Sequence, residues 1–70
     1  MLRIKLWRLQ HRLTQAEAAA QLGLGLSTLA LLESGRLRPT AAQLDRLRLA
    51  FGTETNSLFD LVQERVGAAR

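Results

Sequence analysis

Residues 14–35 read TQAEAAAQLGLGLSTLALLESG, and this stretch decides how the chain folds. Thr14 followed three positions later by Glu17 is a capping box: the threonine hydroxyl covers a free backbone N–H, and the carboxylate reaches back to the cap. It predicts a helix from Gln15 to about Leu22. Gly23 then supplies the left-handed residue that a helix end commonly needs. A second short helix is expected from about Gly25–Ser27 to Glu33 or Ser34, since glycine is a tolerable N-cap, and Gly35 stops it. Ala19, four residues before Gly23, is small enough to let the two helices approach closely. Leu22 and Leu24 flank the turn, while Leu29 and Leu32 face inward.

Outward from this pair, nothing breaks a helix between Leu2 and Arg12. Downstream, Arg36-Leu37-Arg38 forms a basic connector, and Pro39 disfavours helix at the residue before it. Thr40-Ala41-Ala42-Gln43 is a second capping box, opening a fourth helix that Gly52 closes; Leu44, Leu47 and Phe51 make its apolar stripe. Thr53–Ser57 offers several N-caps for a fifth helix running to about Val66. The expectation is one compact all-α domain of five helices over residues 1–66, with residues 67–70 as a frayed tail.

Composition agrees with a helical reading. Leucine, alanine and arginine, all good helix formers, make up half the chain. There is no cysteine and a single histidine, His11, so disulfides and zinc sites are out of reach. No apolar run approaches the ~20 residues of a membrane span, and no signal-peptide pattern is present, so the expected location is the cytoplasm. Residues 1–38 hold six basic side chains against two acidic ones, whereas residues 39–70 hold four of each. A positive field confined to one half suits a polyanionic partner, although arginine scattered over a solvated surface would give the same count. No carboxylate cluster, Ser/His/Asp set, phosphate-cradling loop or metal-ligand spacing points to an enzyme, a cofactor or a small-molecule substrate.

Two short helices crossing steeply through a glycine turn, here residues 15–34, form a helix-turn-helix, whose second helix can enter a DNA major groove. The same spacing also occurs in an ordinary αα-hairpin of a small bundle. The chain further resembles the Cro/repressor-type (XRE-type) helix-turn-helix family, from about Arg3 to Phe59. The resemblance is carried by Arg3-Ile4-Lys5, Arg8, Leu13-Thr14-Gln15, Ala19, Gly23-Leu24, Ser27-Thr28-Leu29, Glu33-Ser34-Gly35, Pro39-Thr40, Leu44, Leu47, Gly52 and Leu58-Phe59. It implies a lambda-repressor-like fold and a dimeric regulator on operator-like double-stranded DNA. By position, Gln15 would contact a phosphate beside a helix N-terminus. Leu26, Ser27, Thr28 and Leu31 would face base edges, Arg36 and Arg38 would lie along the backbone, and Arg8 and Glu33 would form a partly buried ion pair. In helix one the family register places Ile4, Trp7 and Leu13 inward, leaving Leu2 and Leu6 exposed.

Two departures matter. Leu26 and Leu31 stand where polar readers are usual, and leucine cannot make the bidentate hydrogen bonds that discriminate bases. Leu49 and Arg48 also depart from the pattern, with Arg48 expected to snorkel outward. Several exposed leucines together suit a protein-binding surface, so a protein partner, bound by an antitoxin-like or transcription-inhibiting module, stands as the second reading. The expected dimer seam is helix five, through Leu58, Leu61, Val62 and Val66, which would equally serve as the core of a monomer.

Overall fold

The computed structural model describes residues 1–63, and among these the chain is all-helical. Helix α1 spans Arg3–Gln10, α2 Gln15–Leu22, α3 Leu26–Glu33 and α4 Ala41–Phe51, followed by a 3₁₀ helix at Gly52–Ser57. Both capping boxes form. The Thr14 hydroxyl accepts from the Glu17 N–H at 3.0 Å and the Glu17 carboxylate accepts from the Thr14 N–H at 2.8 Å. Thr40 and Gln43 repeat the exchange at the start of α4, at 3.1 and 2.9 Å.

The first three helices end in the same way. In each, one residue turns left-handed, and the N–H groups of that residue and the next return to carbonyls of the last turn. After α2 these are Gly23 N–H to Ala20 O and Leu24 N–H to Ala19 O; after α3 they are Gly35 N–H to Leu32 O and Arg36 N–H to Leu31 O. After α1 the residue in this role is Arg12, at φ +57°, with Arg12 N–H on Leu9 O and Leu13 N–H on Arg8 O. The expected continuous helix to Arg12 therefore stops at Gln10. The turn is forced because Leu13 must pack on the core while Thr14 caps the next helix.

The core gathers Ile4, Ala18, Ala19, Leu22, Leu29, Leu47 and Leu58, with Trp7, Leu13, Leu24, Phe51 and Phe59 packed around it. Trp7 meets Phe51 edge-on, ring centroids 5.0 Å apart, a favoured aromatic geometry. This contact ties α1 to the end of α4.

The fifth helix is a correction. Thr53–Ser57, read as N-cap residues, form the 3₁₀ helix itself. Thr55 is buried, with its hydroxyl donating to Gly52 O at 2.7 Å. Residues 58–63 are not helical: the chain doubles back, and Leu61 pairs with Leu2 in an isolated antiparallel bridge. There the Val62 N–H donates to Met1 O at 2.8 Å, while Arg3 and Ile4 N–H donate to Asp60 O and Leu58 O at 3.0 and 2.8 Å. The first N–H groups of a helix have no partner within it; here, where Leu2 provides no side-chain cap, the returning backbone satisfies them. The same return half-buries Leu2 and places it against the core, so it is not the exposed residue expected; Leu6 is half-buried as well.

Candidate nucleic-acid interface

The α2–α3 pair is held by one buried polar network. Arg8 on α1 donates from Nε to Glu33 Oε2 at 2.7 Å and from Nη2 to Glu33 Oε1 at 3.1 Å. Its Nη1 donates to Leu13 O at 2.9 Å. Gln15, the first residue of α2, donates from Nε2 to Glu33 Oε1 at 3.1 Å. A single carboxylate at the end of α3 thus receives three hydrogen bonds from two other helices. A buried charge is tolerated when paired and saturated in this way, and among the described residues no buried side-chain nitrogen or oxygen lacks a partner. The resemblance implies the Arg8–Glu33 pair, but it gives Gln15 a phosphate contact and does not join it to them.

At the turn, Gly23 sits at φ +71°, and a Cβ built there would stand 3.0 Å from Arg46 Nη1. That guanidinium donates to Gly23 O at 3.1 Å, locking the turn to α4. The backbone angle demands glycine, and any Cβ there would also push the exposed Arg46 guanidinium aside.

Helix α3 buries Leu29, Leu32 and Glu33. At ~100° per residue, Leu26, Ala30, Ser34, Ser27 and Leu31 share an arc of roughly 140° on the opposite side. Leu26 is 52% and Leu31 41% exposed, Ser27 is exposed, and Thr28 is half-buried at the margin of this face. The Ser34 hydroxyl donates to Leu31 O at 3.0 Å, which leaves the Ser27 hydroxyl as the principal polar group facing out. No side chain caps the N-terminus of α3 at Gly25, unlike those of α2 and α4.

Arg36 and Arg38 follow α3 directly and are exposed; among the described residues neither is paired with a carboxylate. Arg38 also borders an open groove of about 470 Å³ floored by Leu2, Leu32, Leu37, Pro39 and Phe59, which the sequence did not suggest because the returning segment builds one wall. With Arg8 and Glu33 cancelling inside, the surplus positive charge of residues 1–38 lies on Arg3, Lys5, Arg12, Arg36 and Arg38, opposed only by Glu17. Arg48 is on the surface beside Asp45 at 3.0 Å.

The expected dimer seam is rearranged. Leu58 is 2% exposed, a core residue and unavailable to a partner, because the 3₁₀ helix turns it inward. Val62 is half-buried at the bridge, Leu61 is 80% exposed, and Val66 lies outside the described residues. Leu49, on α4, is 90% exposed.

Among the described residues no helix is long and apolar enough to cross a membrane, and no group of three or more acidic, histidine or cysteine side chains is placed to hold a metal. Compared with known families, residues 4–58 match the model of a helix-turn-helix family of XRE type. No curated protein and no solved structure matches the chain.

Proposed function

The chain belongs to the XRE-type helix-turn-helix family, and from that premise we propose that it is a transcription regulator that docks α3 in the major groove of double-stranded DNA as a homodimer. The observation carrying this reading is the outward face of α3, braced from behind by the Arg8–Glu33–Gln15 network and followed by the exposed arginines Arg36 and Arg38. Gln15 is oriented by Glu33 at the start of α2, where its second amide hydrogen can meet a phosphate beside the helix N-terminus. One such module contacts half a site, and a two-fold pair spans two half-sites a helical turn apart. Occupation of such a site excludes other proteins from it, so the proposed outcome is repression by exclusion.

The test is binding to duplex DNA over a range of salt. If each subunit neutralises three or four phosphates, log K for a dimer falls against log salt with a slope of roughly −5 to −7. Arg36→Ala with Arg38→Ala makes that slope shallower by about 1 per lost phosphate contact. A slope near zero, or an unaltered slope in the double variant, overturns the reading. Sedimentation as a monomer both free and bound to DNA overturns the dimer.

A second reading rests on the exposed leucines Leu26, Leu31, Leu49 and Leu61, which suit a surface for a protein partner. Under it, Leu26→Ala and Leu31→Ala abolish partner capture and leave DNA affinity unchanged.

A further inference from the structure

We infer that α3 recognises DNA by apolar contact with thymine 5-methyl groups, so that the preferred duplex is defined by where thymine methyls line the major groove. The inference rests on the reading of the chain as a duplex-DNA binder and specifies what that surface selects.

The exposed face of α3 contains no amide, guanidinium or carboxylate. Leu26 and Leu31 are its largest side chains and stand at its two margins, with Ala30 between them on the same arc. Ser34 spends its hydroxyl hydrogen on Leu31 O, and Ser27 can offer one short hydroxyl. Bidentate recognition of guanine or adenine needs an arginine, lysine, asparagine or glutamine, and this face supplies none. Thymine alone among the four bases presents an apolar group on the major-groove edge, its 5-methyl. A half-exposed leucine gains by covering such a methyl and gains nothing from the polar edges of guanine or cytosine, where it would strip water from groups it cannot satisfy.

Leu26 and Leu31 lie five residues apart, so their Cα atoms are separated by about 7.5 Å along the helix axis. With α3 docked so that its axis runs along the groove, that rise spans about two base steps at ~3.4 Å each, so the two leucines, on opposite margins of the face, reach thymines of different base pairs. The exposed basic residues stay outside this contact and act on phosphates irrespective of sequence. Affinity and selectivity are therefore carried by different side chains: arginines for the first, leucines for the second.

Replacing thymine with deoxyuridine removes the methyl group and leaves base pairing, charge and every hydrogen-bonding group intact. Duplexes enriched from random DNA by the full chain are expected to hold thymine at fixed positions. Binding to the same duplexes with uracil there should weaken roughly fourfold per methyl, the worth of one buried apolar carbon. In Leu26→Ala with Leu31→Ala, both exposed positions that leave the core untouched, thymine and uracil duplexes should bind equally, with circular dichroism confirming the fold. Equal binding of the two duplexes by the unaltered protein, or a uracil penalty that persists in the leucine double variant, overturns the inference while leaving DNA binding in place. Salt-sensitive binding with no thymine enrichment has the same meaning. Absence of binding to any duplex at low salt overturns the underlying reading as well, and points the leucines to a protein partner.

Discussion

The helix-turn-helix pair and the closure between the two ends of the described chain are built by opposite strategies. In α2 and α3, helix starts and stops are set within a few residues: Thr14 with Glu17 opens one helix, Gly23 ends it, and Gly35 ends the next. At the closure, Met1 to Ile4 meet Leu58 to Val62 across more than fifty residues of chain, and the bonds run between backbone groups. The first region states its geometry in side-chain chemistry. The second leaves almost no compositional trace, because any residue other than proline carries the N–H and C=O that make it. The pair that presents a surface is locally encoded, whereas the seal that completes the core joins segments far apart in the chain.

Glu33→Leu should break the comparison most severely. It strands the Arg8 guanidinium in a buried site and removes the acceptor for Gln15, at a cost of about 3–5 kcal/mol. A domain of this size has little more stability than that to lose, so the denaturation midpoint should collapse. A loss below about 1 kcal/mol would show that the network is not what braces α3.

Val62→Pro addresses the closure. It removes the N–H that donates to Met1 O at 2.8 Å and should cost about 0.5–1.5 kcal/mol, the net worth of a hydrogen bond whose carbonyl is half-buried and open to water. The effect should be selective: amide exchange at Arg3 and Ile4 should speed up more than exchange at Leu29 or Leu32. Uniform acceleration across all four would mean that the two regions unfold as one unit.

The smallest effect, and the only stabilising one, is expected at Arg12. A non-glycine residue at φ +57° carries about 1–2 kcal/mol of strain, and Arg12→Gly relieves it, offset by glycine's larger loss of freedom on folding, ~0.5–1 kcal/mol. A net gain between zero and about 1.5 kcal/mol, read as a rise in melting temperature, would make the α1 terminus equivalent to those of α2 and α3. A destabilised variant would show that the arginine side chain holds something the backbone geometry does not reveal.

From sequence alone, four helices, both capping boxes, the glycine turn and the inward leucines of α3 were legible, while the pairing of Arg8 with Glu33, 25 residues apart, came only with the resemblance. Each of the former follows from a short-range rule in which one side chain serves a backbone group a few residues away, or from helical periodicity. The resemblance added the operator-facing roles of Gln15, Leu26, Ser27, Thr28, Leu31, Arg36 and Arg38, which remain proposals. Thr53–Ser57 misled because residues that cap an α-helix also favour tight turns, and the choice between a fifth helix and a 3₁₀ turn depends on whether Leu58 is drawn into the core.

Local chemistry thus determined by itself where helices begin, where most end, and which face of each is apolar. Only the tertiary structure decided that α1 would stop at a strained Arg12, that its free N–H groups would be satisfied by Asp60 and Leu58, and that Glu33 would gather Arg8 and Gln15 onto one carboxylate. The physical reason is range. A cap or a glycine acts within one helical turn, but a buried donor must be satisfied by whatever the fold brings to it, and that partner is unknown until the core has closed.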